Sequence, residues 1–293
     1  HLSIRRQRQM CIRDRHHHLW DLSIRPQEWM VGDGMDPVRR NFDADDLRTA
    51  ISGTKIEKTI LVHATTTTDE THELLALAET DPTIVGVVGW LQIDSPSAIA
   101  DCEKYLQAPG ASYLKGIRDV AQDLPDSNYL AKAQSIATVQ QLGKMGLTYD
   151  ILTKTPELKA AIELVKACPD VQFVLDHISK PYIAKEEIEP WKSLITELAA
   201  FENVSCKISG MVTEAKWNTW QSSDFAPYVD HIIASFTPQR LMFGSDWPVA
   251  LLATTSYSDV VTLAESLTAK FSETENELFW LENAISAYKI TKL

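Results

Sequence analysis

From residue 58 to near the C-terminus, short apolar runs alternate with segments of helical period, and this alternation restricts the fold more than any single motif. KTILVHA (58–64), TIVGVVGWL (83–91), LKGIRDV (114–120), LTYDIL (147–152), QFVLDHI (172–178), VSCKISG (204–210) and RLMFGSD (240–246) read as buried strands. Helical patterns lie between them. DETHELLALAET (69–80) is one, and PELKAAIELVKAC (156–168) is another, with proline in its first turn. Two further helices are expected around 256–269 and 273–287. An eighth strand ending at His16–His18 completes the count. Eight strands, each followed by a helix or loop, in 293 residues predict an α/β protein with one domain, a (β/α)8 TIM barrel. A doubly wound open sheet is the alternative, but no Gly-rich phosphate loop follows the first strand.

The N-terminal stretch HLSIRRQRQMCIRDR (1–15) breaks this regularity. It is rich in arginine within an otherwise acidic chain and shows neither helical nor strand period. A transit peptide is one reading. A foreign or disordered segment is the blander one, since QMCIRD resembles a translated sequencing adapter. The barrel is then expected over 16–293. HHH at 16–18 is too short for a purification tag and runs directly into LWD.

A formal net charge of −12 opposes binding to nucleic acid or an anionic membrane. No run reaches the ~18 apolar residues of a membrane span. The four cysteines, Cys11, Cys102, Cys168 and Cys206, form no CxxC pair, so neither a zinc ribbon nor a disulfide framework is indicated. A small-molecule substrate in a cytoplasmic protein is the expectation.

In a barrel of this kind the C-terminal strand ends converge on one mouth, where reactive residues collect. The polar strand ends are His16 and His18, His63, Trp90, Arg118, Tyr149 and Asp150, His177, Lys207 and Ser209, and Asp246 with Trp247. His16 and His18 lie two apart, so a strand points both one way and His17 the other. First and eighth strands are neighbours in a closed barrel, so Asp246 can join the histidine pair. Asp150 points opposite to Tyr149 and reads as structural. Neither a GxSxG elbow nor a Walker motif is present.

HHHLWDL, KGIRDV, FVLDHISKP, NVSCKISGMVTEA and RLMFGSDWPV together resemble the amidohydrolase-related superfamily. More narrowly they resemble its sugar-lactonase branch, the L-fuconolactonase- and L-rhamnono-lactonase-like proteins, from about His16 to Leu293. The resemblance implies a hydrolase that opens a sugar-acid lactone. Asp246 would be the general base, and His16, His18, His177 and Arg118 would polarise the carbonyl. Arg118, His63, Tyr149, Trp20, Trp90 and Trp247 would contact substrate.

Metal-bearing members of the superfamily add a fifth-strand histidine or modified lysine to the HxH pair and the eighth-strand Asp. Here the fifth strand reads LTYDIL. The expectation is therefore either no required cofactor or a single divalent cation, zinc by ligand type, on His16, His18 and Asp246. A metal-dependent hydrolase or non-oxidative decarboxylase of the same superfamily is the alternative. A third is a barrel that has lost activity and serves as a binding protein. A homodimer is an assembly open to such a barrel.

Overall fold

The computed structural model describes residues 12–290. Eight parallel strands run in sequence order: β1 (Ile12–His17), β2 (Ile56–Val62), β3 (Ile84–Trp90), β4 (Leu114–Val120), β5 (Thr148–Leu152), β6 (Phe173–Leu175), β7 (Val204–Ile208) and β8 (Leu241–Phe243). Helices α1 (Ala44–Ile51), α2 (Thr68–Thr80), α3 (Ala98–Gln107), α4 (Ala133–Lys144), α5 (Leu158–Ala167), α6 (Trp191–Ala199), α7 (Ser222–Phe236) and α8 (Tyr257–Leu267) follow the strands in turn. Several are fixed at their starts by side chains. Asp43 accepts from the Asp45 and Asp46 amides, Thr67 from the Glu70 amide, and Ser256 from the Asp259 amide.

The ring closes between β1 and the segment after β8. His17 bridges Trp247, the Asp246 amide donates to the His16 carbonyl at 2.7 Å, and the His18 amide donates to the Trp247 carbonyl at 2.7 Å. Asp14 reinforces the seam: its carboxylate accepts from the His16 amide (3.0 Å), the Ser245 amide (2.8 Å) and the Tyr257 hydroxyl (2.9 Å). This seam is what brings Asp246 beside the two histidines. Residues 12–15 belong to β1, and Asp14 and Arg15 are buried. Residues 1–11 of the expected foreign segment lie outside the described residues.

Alternation sorts the strand residues. One set, with Leu61, Val87, Ile117, Tyr149, Phe173 and Cys206, packs against the helices in the large outer core. The other fills the barrel interior: Ile60, Val62, Val88, Val174 and Met242 cluster with Ala284, Ala287, Tyr288 and Ile290 from the final helical segment. Each such apolar side chain contributes roughly 1.5–3 kcal/mol by burial. The interior is thus sealed by the chain's own C-terminal segment, and polar side chains take over above that layer. Among the described residues no helix is long and apolar enough to cross a membrane, and Cys102, Cys168 and Cys206 are free.

Candidate active site

Two turns shape the site. The first follows β6, where His177, Ile178, Ser179 and Lys180 all have positive φ, between 42° and 58°. Four successive non-glycine residues in the left-handed region carry strain that the surroundings must hold. The Trp191 indole donates to the Ile178 carbonyl at 2.7 Å, and the Ser179 hydroxyl meets that of Thr153 at 2.8 Å. Gly210 stands behind His177; a Cβ there would lie 2.4 Å from His177 Nδ1. The second turn contains Asp246, itself at φ 56°.

These turns place four groups together. Asp246 Oδ1 lies 3.4 Å from His18 Nε2, 3.7 Å from His16 Nε2 and 3.8 Å from His177 Nε2. The imidazole tautomers follow from their partners. His18 Nδ1 is 2.8 Å from the Val62 carbonyl, which can only accept, so Nδ1 carries the proton. Arg118 Nη1 lies 3.2 Å from His16 Nε2 and can only donate, so His16 keeps its proton on Nδ1, facing Asp176 Oδ1 at 3.3 Å. Lys207 Nζ is also 3.3 Å from that Nδ1, but its contacts at 2.6 Å to Asp150 and 2.8 Å to Asp176 are much shorter and claim its protons. His177 Nδ1 meets the Ser209 hydroxyl at 2.9 Å.

Beneath these groups lies a buried charged layer. Lys207 bridges Asp150 and Asp176, Arg118 pairs with Asp176 at 3.1 Å, and the Tyr288 hydroxyl donates to Asp150 at 2.6 Å. Two cations thus face two carboxylates, and Asp246 remains as the excess negative charge. Burial, opposed mainly by Asp176, drives the His16 pKa well below its ordinary value. Burial brings His177 down to about 3. Burial would raise Asp246, but His177, His18 and His16 outweigh it and hold the carboxyl far below the usual range. Asp246 is therefore an ionised carboxylate.

Above this floor opens a cavity of about 670 Å³. His18, Trp20, Arg118, His177 and Asp246 reach its wall, as expected from the sequence. His16 lies one layer deeper. Arg118 has five N–H groups, and four are engaged: Nε with His63 Nε2, Nη1 with Asp176 and His16, and Nη2 with the His63 carbonyl. Among the described residues one N–H has no partner and remains for a ligand.

Four of the expected substrate contacts lie off the wall. His63 sits behind Arg118, holding it, with Nδ1 on the Thr65 carbonyl at 2.9 Å. Tyr149 points outward and packs on Phe173, because Asp150 takes the inward position of β5. The Trp90 indole is drawn to Asp119 at 2.9 Å. Trp247 is buried edge-on against Phe42. Conversely, the wall includes Trp29, Thr66, Gln122 and Lys180, which sequence reasoning passed over, and Asp176 emerges as the hub beneath it. Asp176 was legible in one respect: it lies two residues after the inward-facing Val174.

The donor set suits a metal ion. His16 Nε2, His18 Nε2 and an Asp246 oxygen lie within 4.8 Å of one another, all buried. Both imidazoles present lone pairs, that of His16 facing Arg118 Nη1 at 3.2 Å, and each has its other nitrogen held by an acceptor, as metal-bound histidines do. Two imidazoles and a carboxylate match zinc, whose bonds to such ligands are about 2.0–2.2 Å.

A family model described as amidohydrolase matches residues 14–290. An L-fucono-1,5-lactonase of Burkholderia multivorans is 33% identical over 94% of this chain and 95% of its own length. A protein of the same name from Burkholderia ambifaria is 32% identical over 82% of this chain and 81% of its own length. The crystal structure of a Burkholderia multivorans amidohydrolase with bound zinc superposes with a TM-score of 0.88 at 33% identity, covering 96% of this chain and 99% of that one.

Proposed function

The chain belongs to the amidohydrolase family, and from that premise we propose that it opens a sugar-acid lactone by hydrolysis. The observation that carries this reading is the convergence of three imidazoles on Asp246 Oδ1 at 3.4–3.8 Å, at the floor of a cavity large enough for a sugar ring. The names of the two relatives support the lactone as substrate class.

Asp246 takes a proton from the attacking water as its oxygen bonds to the lactone carbonyl carbon. The charge that develops on the carbonyl oxygen is met by the free Arg118 N–H. The ring C–O bond then breaks. His177 Nε2, 3.8 Å from Asp246 Oδ1, is placed to pass the proton to the departing ring oxygen, giving the open hydroxy acid. An ionised Asp246 held at low pKa is always available but is a weak base. A strained ester tolerates a weak base better than an amide does. His16, His18 and Asp246 would hold a divalent cation, which would supply Lewis acidity when bound.

The test is acid release from a panel of aldonolactones, read with a pH indicator, for the wild type and for Asp246→Asn. Turnover by the wild type and its collapse in the variant is the expected result. Silence of the wild type on every lactone would overturn the reading.

A further inference from the structure

Two polar groups in the cavity wall have no part in the steps above. Gln122 follows β4, and its amide donates to the Leu152 carbonyl at 3.1 Å, which fixes it where the β4 and β5 loops meet. Its side-chain Oε1 is buried and has no hydrogen-bond partner among the described residues. If the amide is turned the other way, a nitrogen is stranded there instead. Lys180 is the last residue of the left-handed turn. In one such turn residues three apart share a face, and Lys180 and His177 both reach the cavity wall. The Lys180 ammonium makes neither a close ion pair nor a hydrogen bond among the described residues; burial raises the nearby Glu214 carboxyl, and Lys180 opposes that rise.

Buried polar groups in folded proteins are normally satisfied, so the unpartnered Gln122 acceptor, in a wall that Lys180 also lines, points to a ligand. A hydroxyl donates and accepts at once, matching an acceptor and a donor together. A carboxylate would meet repulsion from the Gln122 oxygen and from Glu28, which also lines the wall. Trp20 and Trp29, edge to face at 5.8 Å, offer the apolar surface that a sugar ring's C–H face requires.

We propose that Gln122 and Lys180 form a polyol subsite in the cavity, Oε1 accepting from one substrate hydroxyl and the ammonium donating to a hydroxyl oxygen. This rests on the lactonase reading and deepens it: the subsite selects hydroxylated lactones over unsubstituted rings. A site built to bond a hydroxyl discriminates strongly against an analogue lacking it.

The experiment compares kcat/KM for an aldono-1,5-lactone with that for δ-valerolactone in the wild type, Gln122→Leu, Lys180→Met and Gln122→Glu. The ratio of the two is expected to fall about 10–100-fold in Gln122→Leu and Lys180→Met, chiefly through KM. Gln122→Glu, which keeps an acceptor oxygen, should retain most of the preference. A ratio unmoved within about twofold overturns the proposal. If the wild type opens no lactone of the panel, the lactonase reading fails. The subsite is then decided by binding of an uncharged alditol, followed by quenching of tryptophan fluorescence. Saturable quenching that is lost in Gln122→Leu supports it, and quenching that is equal in both proteins, or absent, overturns it.

Discussion

His16 and His18 direct their Nε2 atoms at each other across 3.1 Å, while the Nδ1 protons of both rings are committed elsewhere, to Asp176 and to the Val62 carbonyl. The Arg118 Nη1 proton on His16 Nε2, at 3.2 Å, offsets part of the repulsion between two lone pairs at that distance, and Asp246 adds a negative oxygen at 3.4 Å from His18. Zinc is therefore expected to raise the melting temperature. At a free concentration of a hundred times Kd the gain is about 2.7 kcal/mol. Calorimetric titration should give about one ion per chain, and His18→Ala should abolish both effects. A protein indifferent to zinc by both measurements would remove the cation from this site.

Asp246→Asn isolates the proposed base. Asparagine tolerates the left-handed region, so the φ of 56° at this position costs little in the variant. Turnover should fall by about 10²–10⁴, the range of general-base contributions, with circular dichroism unchanged. Near-normal turnover would take Asp246 out of this role.

Lys207 carries the balance of the buried layer. Lys207→Met leaves Asp150 and Asp176 facing each other without their shared cation. Breaking a buried pair in this way costs about 3–5 kcal/mol, measurable by urea unfolding. Adding Asp150→Asn removes one of the stranded charges and should recover part of the loss. If the double variant is no more stable than the single, the charge argument is wrong.

The barrel was legible because strand and helix periods alternate cleanly from residue 58, and the His16–His18 pair because a spacing of two fixes a shared face. Orientation within the central strands was harder. In LTYDIL both faces are buried, so hydrophobicity gives no parity, and the aromatic Tyr149 drew the assignment that belongs to Asp150. At β6, alternation allows Asp176 or His177 inward but not both. A left-handed turn brings in both, and DHISK contains no glycine to announce it. Gln122 and Lys180 sit on loops, where no periodicity speaks.

Gly210 separates space from backbone strain. Gly210→Ala places a methyl 2.4 Å from His177 Nδ1, a ring already held by Ser209, and at φ 59°. Left-handed strain of about 1–2 kcal/mol adds to overpacking of about 1–3 kcal/mol. Gly146 also has positive φ, 84°, but nothing lies within 4 Å of its missing Cβ. Gly146→Ala should therefore show strain alone and keep turnover, whereas Gly210→Ala should lose both stability and turnover. Equal behaviour of the two would mean that the His177 contact is unimportant.

His17 gives a pH dependence whose sign can be worked out. It faces away from the site, with Nε2 2.9 Å from the Thr59 hydroxyl and a buried Nδ1 that lacks a hydrogen-bond partner among the described residues. Burial, and then the neighbouring His18, bring its pKa down to about 3. The unfolded chain protonates this ring near pH 6.5, so below that value it binds more protons than the fold does. Stability from this group is whole above about pH 6.5 and is lost as pH falls toward 3, at about 1.4 kcal/mol per unit. Asp150, raised by burial to about 6, acts in the opposite sense across part of that window, so total stability is not a clean readout. The difference between wild type and His17→Gln is clean, because Asp150 is common to both. Urea midpoints at pH 7.5, 6.5, 5.5 and 4.5 should show the variant losing less stability on acidification, with the gap widening below 6.5. Parallel curves for the two proteins would mean that His17 takes up its proton in the fold as readily as in the unfolded chain.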